Sequence, residues 1–132
     1  RYYNHKITKE ITENYDIIST ESLTISKMIM DKEHHLSKAI SDATFNEILE
    51  QLEYKAKERG KYFYKISPYY PSSQICSVCN NIDKKYKNLD ERMYECNRCY
   101  SKLDRDFNAS VNIMFEGLKL HIMAPMKNLS TR

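Results

Sequence analysis

Ser72 to Asn112 reads SSQICSVC (72–79), NNIDKKYKNLDERMYE (80–95), CNRC (96–99) and YSKLDRDFNASVN (100–112). This one stretch holds all four cysteines, as two C-x2-C pairs, Cys76/Cys79 and Cys96/Cys99, separated by sixteen residues. Two residues between cysteines allow a tight knuckle that turns both thiolates toward one tetrahedral ion, and the spacer brings the two knuckles together. Four thiolates fill a tetrahedral zinc and leave no position for water, so the spacing predicts a structural ion and not a catalytic one. Disulfides or buried free thiols are the competing reading. The absence of an export sequence speaks against the former. The spacer is expected to form short strands, with Met93–Glu95 leading into the second knuckle, as in a zinc ribbon.

Glycine commonly follows the second cysteine of such a knuckle, where the backbone turns left-handed. Here those places hold Asn80 and Tyr100. Asparagine tolerates positive φ and tyrosine does so poorly, so the second knuckle is expected to be shaped differently from the first.

Directly after the cysteines come Asp104, Asp106 and Asn108. Asp104 suits a helix N-cap, and acidic residues suit a first turn. From there a last helix is expected with Phe107, Val111, Met114 and Leu118 on one face, and residues 124–132 are expected to be a poorly ordered tail.

Working upstream, residues 1–15 place Tyr3, Ile7, Ile11 and Tyr15 four apart, a helical recurrence, with Asn14 near its end. A strand is expected from about Asp16 to Glu21, which leaves a glutamate at its carboxyl end. On sequence alone, Glu21 can equally be an exposed turn residue. Residues 26–40 are ambiguous between loop and helix, and the adjacent His34 and His35 read as surface residues. The next helix is capped at Ser41 or Asp42, buries Phe45, Ile48, Leu49, Leu52 and Ala56, and ends at Gly60. Residues 61–68 alternate as a strand closed by Pro68 and Pro71. Helix, strand, helix, strand predicts an α/β fold with crossover helices.

The chain has 132 residues and a formal net charge of +3. That charge is uneven. Residues 1–53 carry six Lys/Arg against ten Asp/Glu, and residues 54–105 carry twelve against six. The cationic side chains Lys84, Lys85, Lys87, Arg92, Arg98, Lys102 and Arg105 make the ribbon a candidate phosphate-facing surface. Tyr86, Tyr94 and Tyr100 can stack on bases or fill the ribbon's small core, and the core is the commoner use. No apolar run approaches the roughly 20 residues of a membrane span. The chain lacks an initiator Met and opens in mid-helix, so it is expected to be a piece of a longer protein.

The words IISTESL, LEYKAKERG, ISPYYPSSQICSVC, YECNRC and LDRDFNASVNI occur in the order found in the C-terminal part of the TnpB (OrfB) family. These are RNA-guided nucleases of insertion sequences, related to miniature type V CRISPR nucleases. The resemblance covers the chain from about His5 to Ile113. It implies a partial RNase H-like (RuvC-like) fold, at residues 1–71 and 104–123, with an inserted zinc ribbon at 72–103. By position it assigns the second-motif glutamate to Glu21 and the third-motif aspartate to Asp106, both as ligands of catalytic Mg²⁺ or Mn²⁺, with Asp104 as the flanking cap. It also implies DNA and a guide RNA as partners and the cytoplasm of a prokaryotic cell as location. The first-motif DxG does not occur between Arg1 and Glu21, so the chain alone is expected not to cut DNA. A zinc-ribbon module that binds nucleic acid without catalysis is the alternative.

Overall fold

The computed structural model describes residues 2–22, 35–87 and 91–130, with side chains described at 2–22, 43–87 and 91–125. The chain divides into two compact units, Arg1–Pro68 and Tyr69–Arg132.

The first unit runs α1 (Tyr2–Asn14), β1 (Ile17–Thr20), α2 (His35–Glu58) and β2 (Tyr62–Lys65). β1 and β2 pair in parallel, Ile17 opposite Tyr62 through Thr20 opposite Lys65. Parallel neighbours require a crossover, which α2 supplies. The expected α/β arrangement is therefore present in this unit. Its core joins Ile18, Leu52 and Ala56 with Ile11, Ile48 and Phe63 packed against them, and Leu49 and Ile66 are also buried.

Two helix ends follow local chemistry. Asn14 closes α1 with its Nδ2 on the Glu10 carbonyl at 2.7 Å. Gly60 takes φ +68°. Around it Lys61 N–H reaches the Ala56 carbonyl at 2.8 Å and Gly60 N–H the Lys57 carbonyl at 3.3 Å. Those are the paired bonds of a glycine-terminated helix.

Two expectations for this unit change. α2 begins at His35, so Ser41 and Asp42 lie within it and do not cap it; no Gly or Pro interrupts residues 35–42. Residues 26–34, including His34, lie outside the described residues. In α1 only Ile11 of the apolar row packs against the core. Ile7 is 45% exposed and Tyr3 and Tyr15 are exposed, while Thr8 and Thr12 are fully buried. The period of four is right and its phase is off by one residue. Thr8 Oγ1 lies 2.9 Å from Gln51 Oε1 and accepts from Lys55 Nζ at 2.7 Å, and Thr12 Oγ1 accepts from Arg59 at 2.7 Å. Polar partners on α2 make a threonine stripe the better inward face.

The second unit holds a short 3₁₀ turn (Lys84–Lys87), β3 (Met93–Glu95), β4 (Lys102–Asp104) and α3 (Arg105–Ser130). β3 and β4 are antiparallel, with Tyr94 opposite Leu103, and Ile75 bridges Ile82. Its core is Cys76, Tyr86, Tyr94 and Cys96, with Cys79 and Cys99 against them. Tyr86 and Tyr94 pack with centroids 4.4 Å apart, so both serve the core, while Tyr100 is 80% exposed. α3 extends to Ser130 through Pro125, beyond the expected end at residue 123. Its inward face also differs: Phe107 is 59% exposed and Met114 exposed, and Asn108 and Asn112 are buried instead. Among the described residues no helix is long and apolar enough to cross a membrane.

Candidate metal centre and the helix start beside it

The two knuckles have the same backbone bonding. In the first, Asn80 N–H donates to the Cys76 carbonyl at 2.8 Å and Cys76 N–H to the Asn81 carbonyl at 2.8 Å. In the second, Tyr100 N–H donates to Cys96 at 3.1 Å and Cys96 N–H to Ser101 at 3.0 Å. Asn80 has φ +67° and Tyr100 φ +64°. The second knuckle is therefore not reshaped to spare its tyrosine. Tyr100 adopts the left-handed backbone, which costs an L-residue roughly 1–2 kcal/mol.

The four sulfurs lie within 4.8 Å of one another. Cys76 and Cys99 Sγ are 3.7 Å apart, and Cys79 and Cys96 Sγ 3.6 Å. A disulfide would need about 2.05 Å. A tetrahedral zinc with Zn–S near 2.3 Å sets its sulfurs about 3.8 Å apart. The set therefore has the size of a tetrahedral four-thiolate site and can hold one metal ion.

Local fields divide the four thiols. Ser101 Oγ stands 3.2 Å from Cys99 Sγ, and its hydroxyl, with the Ser101 N–H, holds Cys99 down to about 6. The Cys99 N–H, 3.4 Å from Cys96 Sγ, lowers Cys96. Burial pushes Cys76 up to about 11. A cation at the centre offsets that burial, because it favours the thiolate at all four positions.

The ribbon's tyrosines satisfy their hydroxyls within it. Tyr94 Oη donates to the Gln74 carbonyl at 2.8 Å, and Tyr86 Oη accepts the Glu95 N–H at 2.9 Å.

Asp104 ends β4 and caps α3: its Oδ1 accepts the Phe107 N–H at 3.0 Å. Asp106 is exposed in the first turn. Asn108 and Asn112, one turn apart, have a buried clamping role that the sequence pattern does not assign, although it places Asn108 at the helix start. Asn108 Oδ1 accepts the Ser77 N–H at 2.8 Å and its Nδ2 donates to the Ile75 carbonyl at 2.7 Å. Asn112 Nδ2 donates to Ser72 at 2.9 Å and Ile75 at 2.8 Å. The signature in the sequence is a pair of asparagines at i, i+4, where a helix face can carry a polar clamp.

Of the cationic candidates, Lys84, Lys85, Lys87, Arg92, Arg98 and Lys102 are exposed. Lys85 Nζ lies 3.8 Å from Asp83 and 5.1 Å over the Tyr86 ring, and Lys102 lies 3.8 Å from Glu95. Arg105 is used internally, donating to the Tyr86 carbonyl at 2.7 Å. In the first unit, Glu21 is exposed immediately after β1, just before Ser22 Oγ donates to the Ile66 carbonyl at 2.6 Å. It thus stands at the carboxyl end of a parallel strand, where α/β sheets commonly place ligands.

Residues 45–113 match the family model described as Cas12f1-like, TNB domain. A putative RNA-guided DNA endonuclease of Streptomyces pristinaespiralis is 33% identical over 114 residues, covering 86% of this chain and 27% of that protein. The CRISPR-associated endodeoxyribonuclease Cas12f1 of Sulfoacidibacillus thermotolerans is 29% identical over 127 residues, covering 96% of this chain and 28% of that protein. The chain thus spans just over a quarter of the length of these relatives. Among solved structures, a cryo-EM structure of a Cas12f1–sgRNA–target DNA complex aligns with TM-score 0.54 and 20% identity, covering 85% of this chain and 31% of that one. That likeness shows a shared fold.

Proposed function

This chain belongs to the family described as Cas12f1-like, TNB domain, and we propose that it supplies the C-terminal part of a transposon-associated, RNA-guided DNA endonuclease. The observation that carries the reading is that one continuous match, residues 45–113, spans both the four-cysteine ribbon and the RDFNAS helix start. In this reading residues 1–71 and 104–123 belong to a RuvC-like, RNase H-like domain, and residues 72–103 are its inserted ribbon. The parallel β1–β2 pair with its helical crossover supports the first part.

Zinc is the ion for Cys76, Cys79, Cys96 and Cys99, since the sulfur spacing suits it and four thiolates close its coordination. Its duty is structural. Glu21 and Asp106 are the oxygen donors for Mg²⁺ or Mn²⁺, hard ions that prefer carboxylates. Such cations, when bound, activate water and stabilise the leaving oxygen of a phosphodiester. Both Asp104 and Asp106 are exposed, and Asp104 is committed to its cap, which favours Asp106 as the ligand. The partners are DNA and a guide RNA, and the setting is the cytoplasm of a prokaryotic cell.

The chain presents two of the three carboxylates that the family resemblance implies, so by itself it does not cut DNA. Supercoiled plasmid with Mg²⁺ should stay uncut, while Mn²⁺ binding should weaken in Glu21→Gln and in Asp106→Ala. Nicking that Asp106→Ala abolishes would overturn the inactivity, and unchanged Mn²⁺ binding in both variants would remove the assigned roles. The second reading, a nucleic-acid-binding ribbon without catalysis, draws on the six exposed cations. It predicts DNA binding with a steep salt dependence, indifferent to Glu21→Gln.

A further inference from the structure

The first turn of α3 is gripped by the ribbon from two directions. On one side, the buried Asn108 carboxamide takes the Ser77 N–H at 2.8 Å and gives to the Ile75 carbonyl at 2.7 Å. Ser77 lies between the ligands Cys76 and Cys79, so this bond reaches inside the first knuckle. On the other side, the Arg105 guanidinium donates to the Tyr86 carbonyl and the Arg105 N–H to the Arg92 carbonyl, both at 2.7 Å. β4 also runs from the second knuckle to Asp104, and α3 begins at the next residue. Asp106 sits between Arg105 and Asn108 with its own side chain exposed. Little slack separates the knuckles from the turn that carries it.

The geometry points to Asn108 as a positioning residue that transmits the metal state of the four-cysteine site to the turn bearing Asp106. The inference rests on the reading of Asp106 as a ligand of a divalent cation. The physical reason is the cost of a broken buried amide. When the ion leaves, Cys76 and Cys79 lose their common anchor and the Ser77 N–H is free to swing away. A fully buried carboxamide cannot replace that bond with water where it stands, so the first turn must loosen until it can. Asn112 is the natural control. Its amide goes to Ser72 and Ile75, outside the Cys76–Cys79 knuckle, so its loss should weaken the unit without uncoupling Asp106.

The test uses the whole 132-residue chain, with Co²⁺ at the cysteines to report thiolate coordination by its absorption, and amide exchange and Mn²⁺ broadening read by NMR. In the wild type, chelation should speed exchange at Ala109–Asn112 by about tenfold or more. Asn108→Ala should keep the Co²⁺ spectrum, show that faster exchange while loaded, and lose Mn²⁺ broadening at Asp106. Asn112→Ala should lower the thermal midpoint and keep that broadening. The proposal is overturned if loaded Asn108→Ala matches the wild type in exchange and broadening. It is equally overturned if chelation leaves wild-type exchange at Ala109–Asn112 unchanged, a result that needs no variant to fold. Should Mn²⁺ leave Asp106 sharp in the wild type, the ligand role of Asp106 fails, and the exchange data alone decide the coupling.

Discussion

Asn108 Oδ1 accepts the Ser77 backbone N–H at 2.8 Å, so the middle of the first cysteine knuckle hangs from the first turn of α3. Asn108 is 0% exposed. Its replacement by Ala orphans the Ser77 N–H, while the Ile75 carbonyl keeps Asn112 as a donor. The expected loss is about 1–3 kcal/mol in urea unfolding of the metal-loaded chain. A loss below a few tenths would mean that water takes the vacated place at no cost.

Tyr100 carries its left-handed backbone with an exposed ring. Tyr100→Gly and Tyr100→Ala both discard that ring, and the glycine alone relieves the backbone. The glycine variant should be the more stable of the two by about 1 kcal/mol, read from their thermal midpoints. Equal midpoints would show that the second knuckle has no strain at this residue.

The four cysteines make up most of the ribbon's core, with Tyr86 and Tyr94 as its large side chains. Metal removal should therefore dissolve that core, since metal binding and folding are one event in so small a unit. Near-ultraviolet circular dichroism from the two tyrosines should vanish on chelation and return with Zn²⁺. The Arg1–Pro68 unit has its own core and should keep its amide protection throughout.

Thr8 joins α1 to α2 by accepting Lys55 Nζ at 2.7 Å while donating to the Asn4 carbonyl at 2.8 Å. Thr8→Val keeps the shape and removes the acceptor, which should cost about 1–3 kcal/mol. Adding Lys55→Met should recover part of that loss, because the ammonium, which keeps the His5 carbonyl at 3.0 Å as its other acceptor, goes too. A double-mutant cycle in urea reads the coupling, and strict additivity would refute it.

Lys61 Nζ meets Asp16 Oδ1 at 2.7 Å. That hydrogen bond, with the attraction behind it, holds the Asp16 carboxyl below its ordinary 3.8. A carboxyl depressed in the folded state adds stability above its unfolded value and loses it as pH falls through the folded value. Wild type and Asp16→Asn should thus differ at neutral pH and converge in acid below 3.8. Asp16 is exposed, so the gap should be small and shrink with salt. A gap unchanged in acid would assign it to something other than this charge.

Spacing and local chemistry alone placed the cysteine clip, the buried stripe of α2, the glycine that ends it, the parallel strands around it and the Asp104 cap. Each element follows from a short local pattern of period, spacing or side-chain type, even where its partner lies far along the chain, as Cys99 does from Cys76 and Tyr62 from Ile17. The resemblance read from five sequence words likewise holds at the level of the family. Tertiary structure alone decided the inward faces of α1 and α3. In both helices the buried pair is polar, Thr8 with Thr12 and Asn108 with Asn112, one residue after the apolar positions that periodicity selects. Hydrophobic patterning treats a buried amide or hydroxyl as a cost, and it is one unless a partner meets it. Those partners, Gln51, Lys55 and Arg59 for α1, and Ile75 and Ser77 for α3, lie more than thirty residues away along the chain. Only the folded backbone brings them within hydrogen-bonding reach.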